Sequence, residues 1–315
     1  MALPLEPPIQ PWLARGRPAL PDDDSGWSFE RKYDGFRCIA FVDGDDVYLQ
    51  SRGSKPLRKY FPELVFPAGR YVLDGEIVVR DGDGVEDFDA LGQRIHPAES
   101  RITMLSEKTP AAYVAFDLLA DGDEVYLKRP FGERRAALEE LVTAPVELAP
   151  TVAGAADADG WLHDAEGVIA KQLDSPYLPG KRDGMIKVKR ARTLDAVVVG
   201  WRPGKEADTV GSLILGVYDA AGELRVVGHT SGFKAKEKRD LVQMLAPYET
   251  GERGMGDPSR WKADRELEWV AVRPELVVEV GYDQVSNGRI RHGTKLVRWR
   301  DDKAPAECLF DQLEQ

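Results

Sequence analysis

The chain has 315 residues, enough for about two domains with cores of their own, and at 43% hydrophobic and 31% charged it is composed like an ordinary globular protein. No apolar run approaches the roughly 18 residues that cross a membrane. The net charge of −11, taken alone, argues against nucleic acid. That charge is uneven: from residue 190 onward roughly 20 basic face 21 acidic side chains, so the excess acid lies upstream. The proline-rich residues 1–10 lack the basic start, apolar core and cleavage site of a signal peptide. Cys38 and Cys308 are too few for a disulfide framework and read as reduced core residues of a cytoplasmic protein. His96, His163, His229 and His292 are scattered without ligand spacing, so no zinc site is expected.

In chain order, residues 27–32 and 36–42 read as strands. Asp43-Gly44-Asp45 reads as a hairpin turn and 47–51 as the return strand. Residues 71–79 form another strand, closed by the turn Asp81-Gly82-Asp83-Gly84. Residues 112–119 follow as a strand and 130–142 as a helix opened by proline. Short strands at 168–172 and 185–189 flank a Pro/Gly-rich loop. Strands with interspersed helices and no strict alternation predict an α+β fold with antiparallel sheets. After Arg192 the pattern changes to short strands at 196–201, 212–218, 224–228 and 276–282, interrupted by a helix at 236–245. Such a run fits a small closed barrel of the OB type, with a domain boundary near residue 190: 1–190 and 191–315. Basic residues bunch at Lys187, Lys189, Arg190 and Arg192, at Lys234, Lys236, Lys238 and Arg239, and at Arg289, Arg291, Lys295, Arg298 and Arg300.

Six short segments carry candidate chemistry. In Lys32-Tyr33-Asp34-Gly35-Phe36-Arg37, a lysine stands where a strand pattern breaks, with an acid two residues on. An amine attacks phosphate only when deprotonated, and neighbouring cations and partial desolvation favour that form. Gly35 lets backbone approach a ligand closely, and Arg37 offers a fork for phosphate. Arg52, in Ser51-Arg52-Gly53, offers a second planar fork. Glu76, in Asp74-Gly75-Glu76, is a carboxylate in an apolar strand, costly unless paired or met by a ligand such as a ribose hydroxyl. Phe116 precedes Asp117 and could stack on a purine. Glu166 opens Glu166-Gly167-Val168-Ile169-Ala170-Lys171 and could carry Mg²⁺, a hard ion preferring oxygen. Alternation puts Lys187 and Lys189 on one face of a strand, where two like charges call for an anion between them.

This ordered set resembles the covalent nucleotidyltransferase superfamily of ATP-dependent DNA ligases, RNA ligases and mRNA capping enzymes. Lys32-Tyr33-Asp34-Gly35 matches its first motif, the five later segments match the following ones in order, and Arg300-Asp301-Asp302-Lys303 matches the Arg-x-Asp-Lys motif of its barrel domain. The likeness spans nearly the whole chain and is strongest to the small stand-alone C-type DNA ligases of actinobacteria. It implies an adenylation domain followed by an OB-fold domain, with nicks sealed through a lysyl-AMP intermediate on Lys32 and then a DNA-adenylate. By the same resemblance Phe116 stacks on adenine, Glu76 holds the ribose, and Glu30 lies among the cofactor-binding residues. Arg37 and Arg52 steady the nucleotide and the nick phosphate, and Lys187 and Lys189 contact the α-phosphate. Glu166 and Asp34 serve Mg²⁺ or Mn²⁺, while Arg300 and Lys303 orient pyrophosphate, which requires the barrel to close over the cleft about a hinge near residue 190.

The implied partners are ATP and nicked double-stranded DNA, bound by a monomer with strong salt dependence and with help from bacterial repair or end-joining proteins. An RNA ligase or GTP-dependent capping enzyme would share the lysine and barrel motifs. A non-catalytic DNA-end binder is the reading of another class.

Overall fold

The computed structural model describes residues 3–189, 192–256, 267–286, 288–291 and 293–313. Arg190 and His292 lie outside the described residues. The chain divides into two compact units, Met1–Arg190 and Ala191–Gln315.

The first unit contains two sheets. One has six strands in the order β4-β3-β5-β6-β7, with β8 also against β6. These are β3 (Phe36–Gly44), β4 (Asp46–Ser51), β5 (Gly69–Val79), β6 (Ala111–Asp121), β7 (Glu124–Val125) and β8 (Glu147–Leu148). The other has five, in the order β1-β11-β10-β2-β9. These are β1 (Arg15–Gly16), β2 (Trp27–Arg31), β9 (Thr151–Val152), β10 (Gly167–Gln172) and β11 (Met185–Lys189). Both are antiparallel except where β1 runs parallel to β11 and β8 to β6, in keeping with the α+β expectation. β3 and β5 pair in unbroken register from Phe36–Ile77 to Gly44–Gly69. Between β5 and β6 the register slips twice, between Val72 and Leu73 and between Asp74 and Gly75. The second slip leaves Phe116 as the extra residue of a β-bulge, a device that bends a strand and re-aims a side chain.

One face of the six-stranded sheet packs on a core that includes Ala40, Val42, Leu73, Ile77 and Leu118. A second cluster joins Ile39, Phe41 and Val72 of that sheet to Trp12, Tyr177 and Met185 of the other sheet's elements and loops. Helix α1 (Phe88–Gln93) is N-capped by Asp87, whose carboxylate accepts the Ala90 N–H. Together with α2 (Glu99–Lys108) it fills the connection between β5 and β6, which the apolar periodicity did not mark as helical. The predicted proline-led helix is α3 (Phe131–Leu141), with Pro130 at its N-cap. From it Arg134 reaches the buried Asp117 with Nε at 2.7 Å and Nη2 at 3.0 Å, and donates to the Ser175 carbonyl at 3.0 Å. Two short helices, α4 (Ala155–Ala158) and α5 (Trp161–Asp164), pack beside Phe29, Val168 and Ala170 on the other face of the five-stranded sheet.

The second unit curls around one long strand, β12 (Arg192–Pro203). It pairs with β13 (Val210–Tyr218) on one side, and on the other with β17 (Val277–Tyr282) along 192–197 and with β16 (Leu267–Val272) at Gly200 and Trp201. β14 (Leu224–Ser231), β15 (Glu249–Gly256) and β20 (Lys295–Trp299) extend the seven-stranded sheet, β18 (Val285–Ser286) and β19 (Arg289–Ile290) form a separate hairpin, and α6 (Ala235–Leu245) packs Leu241 and Leu245 into the core. Sharing one bent strand among three neighbours is how a small sheet rolls toward a barrel. β15, β16 and β20 were not predicted: Gly251, Gly254 and Gly256 interrupt the first, and alternation over the others is short.

Asp117 and Arg134 are 1% and 0% exposed. Replacing Arg134 by alanine strands a buried carboxylate, so it is expected to lower stability by about 3–5 kcal/mol, read as a shift of the urea unfolding curve.

Candidate active site

Lys32 follows β2, and its backbone N–H donates to the Gly167 carbonyl at 2.9 Å, which ties the residue to the start of β10. Its Nζ lies 3.7 Å from Glu166 Oε1 and 3.3 Å from the Tyr33 carbonyl. Lys189, at the end of β11, brings a second ammonium to the same oxygen at 3.6 Å. Glu166 is thus a buried carboxylate shared by two amines. Gly167 makes this closeness possible: its φ is +137°, and a Cβ there would lie 2.2 Å from the Val188 carbonyl. Gly35 is as constrained, since a Cβ would meet the Ile77 carbonyl at 2.3 Å and Glu76 Cγ at 2.7 Å.

Lys187 and Lys189 share one face of β11, while Val188 between them is buried on the other. Burial lowers the Lys187 pKa first, and Lys189, Lys32, Arg52 and Arg182 lower it further. Arg52 itself is exposed in the turn after β4. Five cations therefore share one field, and Arg182, which no motif marks, is among them. Its only sequence signal is its place in a glycine-bounded loop just before β11.

Glu76 is half-buried on β5 opposite Arg37. Burial pushes its carboxyl up to about 7, against the pull of Arg37 and Lys32 and with the help of Asp74 and Asp34. Arg37 stands differently from expectation. Its Nε and Nη2 each lie 2.6 Å from Asp74, and Nη2 also reaches the Trp12 carbonyl at 3.3 Å. The fork expected to meet a phosphate is taken up by a protein carboxylate. Burial works against the Arg37 charge, and Asp74 outweighs it, so the pKa is raised. The guanidinium carbon lies 4.4 Å from the centre of the Phe116 ring. Phe116 is 7% exposed, and Lys171 Nζ lies 4.8 Å from the same ring centre.

Glu30 also departs from its expected place. At 3% exposure its carboxylate lies 2.9 Å from Lys171 Nζ, which also donates to the Phe116 carbonyl at 3.0 Å. Burial raises the Glu30 pKa and Lys171 opposes it. Glu30 thus holds the lysine that holds Phe116. The second unit sets Arg300 and Lys303 around a residue that sequence reasoning missed. Asp195, on β12, accepts Arg300 Nη1 at 2.9 Å and Lys303 Nζ at 2.7 Å, while Arg300 Nε reaches Asp302 at 2.8 Å. An acid in the apolar run Leu194-Asp195-Ala196-Val197 was the available signal.

Among the described residues no group of three or more His, Cys, Asp or Glu side chains lies close enough to hold a metal ion. The Glu166 carboxylate beside these lysines is an oxygen donor of the kind a hard ion prefers.

The ATP dependent DNA ligase domain model matches residues 19–189, and the ATP dependent DNA ligase C terminal region model matches 206–303. The chain is 47% identical to DNA ligase C1 of Mycolicibacterium smegmatis, covering 100% of this chain and 96% of that protein. It is 34% identical to the multifunctional non-homologous end joining DNA repair protein LigD of Mycobacterium tuberculosis, over 90% of this chain and 37% of that protein. Among solved structures, a mycobacterial DNA ligase D complexed with ATP and MES matches with a TM-score of 0.54 at 32% identity, covering 95% of this chain and 97% of that one.

The Glu76 carboxyl is expected to titrate near 7 in ¹³C NMR of the carboxyl carbons, rather than near the ordinary 4.5. The folded state holds this proton more tightly than the unfolded chain does. The contribution of Glu76 to stability is therefore fully present below 4.5 and is lost as pH rises through 7.

Proposed function

The chain belongs to the ATP-dependent DNA ligases, and on that footing we propose how its own residues divide the reaction. Lys32 Nζ attacks the α-phosphorus of ATP. A P–N bond forms, the bond to the bridging oxygen of the β-phosphate breaks, pyrophosphate departs and the amine gives up a proton. The AMP passes to the 5′-phosphate at a nick, and the 3′-hydroxyl then displaces it, sealing the strand. Covalent capture divides one difficult displacement into easier ones.

The observation that carries the assignment is the convergence of Lys32, Lys189 and Glu166 within 4 Å contacts beside the Lys187 face. Amines gathered in this way would neutralise the charge of a transferring phosphate. Lys187, Lys189 and Arg52 hold phosphate oxygens, Phe116 stacks on adenine, and Glu76 accepts a ribose hydroxyl. Arg37, its fork on Asp74, contributes charge and backs the Phe116 ring, and Glu30 acts through Lys171. Glu166 and Asp34 would hold a magnesium or manganese ion, which would supply positive charge to phosphate oxygens. Arg300 and Lys303 serve the pyrophosphate leaving group. We assign adenylation to residues 1–190 and the OB-fold to 191–315. The macromolecular substrate is nicked duplex DNA, bound by a monomer in bacterial repair or end joining within the cytoplasm.

With labelled ATP and Mg²⁺, Lys32→Ala is expected to form no covalent AMP adduct, whereas the wild type labels; an adduct of normal amount in the variant would remove Lys32 from the role. Lys303→Ala is expected to slow self-adenylation more than the sealing of a pre-adenylated nick, and equal losses in both assays would count against its leaving-group role.

A further inference from the structure

A closed circuit of buried and half-buried polar groups links the two sheets of the first unit. Asp74, on β5, is 0% exposed. Besides Arg37 it accepts the Tyr177 hydroxyl at 2.5 Å. Tyr177 comes from the loop between β10 and β11, so this bond joins one wall of the cleft to the other. The Tyr177 oxygen accepts the Trp12 backbone N–H at 3.0 Å, and the Trp12 carbonyl accepts Arg37 Nη2. Donors and acceptors match around the ring: Trp12 gives to Tyr177, Tyr177 to Asp74, and Arg37 to both Asp74 and Trp12. A phenol has one proton to give, and burial, then the Asp74 charge, raise the Tyr177 pKa well above its ordinary value. The hydroxyl therefore remains a donor across the working pH range.

The circuit fixes more than its own members. The Arg37 guanidinium lies over the Phe116 ring, and Phe116 sits on a bulge without a β5 ladder partner, its backbone carbonyl taken by Lys171. Deleting the Tyr177 hydroxyl would leave the Trp12 N–H without its acceptor and one Asp74 oxygen short of a donor, and would remove one polar tie that sets the spacing of the walls. We propose that Tyr177 is a positioning residue for nucleotide binding: its hydroxyl, acting through Asp74, sets the Arg37 plane and with it the Phe116 ring that receives the adenine. The proposal rests on the reading that Phe116 stacks on adenine. It assigns Tyr177 a role in binding ATP and none in the bond-making at Lys32.

Tyr177→Phe keeps the ring beside Trp12, 6.0 Å between centroids, and removes only the hydroxyl. In self-adenylation with labelled ATP, the KM is expected to rise about tenfold, the loss of one hydrogen bond to a charged group, with kcat within about twofold. In an Asp74→Asn background the same change is expected to add no further rise, because the two residues act in series. Arg37→Lys serves as the background if Asp74→Asn does not fold. An unchanged KM in Tyr177→Phe, even with a lowered unfolding midpoint, overturns the proposal, as does an effect that adds in full to Asp74→Asn. Phe116→Ala separates the two readings. If it raises the KM while Tyr177→Phe does not, the positioning role alone fails; if it leaves the KM unchanged, the stacking role fails and the proposal with it.

Discussion

A carboxylate removed from water must be matched by cations or hydrogen-bond donors, and three such carboxylates govern the first unit. Glu30, Asp74 and Asp117 are each almost wholly buried. Glu30 takes Lys171, Asp74 takes Arg37 and Tyr177, and Asp117 takes Arg134. Tyr177 carries the Asp74 set from its sheet to the loop between β10 and β11, and the cations of the other two sets reach across by a further bond each. Lys171 also holds the Phe116 carbonyl, and Arg134 the Ser175 carbonyl. Apolar packing alone would tolerate small slips between sheets. Matched charges in a low-dielectric gap tolerate few, because each slip unpairs an ion. The cleft is therefore held at one spacing before any nucleotide arrives.

The electrostatics of the cleft run against those of the whole chain. The net charge is −11, yet Lys32, Arg52, Arg182, Lys187 and Lys189 share one field. A cleft lined by one sign, within a body of the other, concentrates its ligand locally while the outer surface repels it. Glu166 moderates that field by pairing with two of the lysines. This arrangement suits an enzyme whose ligand is a triphosphate.

Local regularities were legible in the sequence, and partners were not. Alternation marked β3, β5, β6 and the shared face of Lys187 and Lys189, because a strand repeats every two residues whatever it packs against. Motif order pointed to Lys32 and Glu166, which the fold brings together. Arg37 was read as a phosphate fork because its fate depends on Asp74, which is 37 residues away in sequence and adjacent only once β3 and β5 pair. Glu30 was likewise read toward the cofactor, since Lys171 lies 141 residues on. Asp195 and Tyr177 carried no motif, and their meaning comes only from what surrounds them. Helices α1 and α2 escaped because their few buried residues, Leu91, Ile102 and Leu105, leave too narrow an apolar stripe.

The Asp195 cluster of the second unit has a consequence for timing. Arg300 and Lys303 both end on one carboxylate, and Asp302 takes the other side of the Arg300 fork. Long cationic side chains in solvent hold roughly 2 kcal/mol of rotamer freedom each. Here that freedom is surrendered when β12 and the segment after β20 fold together, within one unit and without a nucleotide. The ordering cost falls in folding rather than in each turnover, and the two cations already stand in formation.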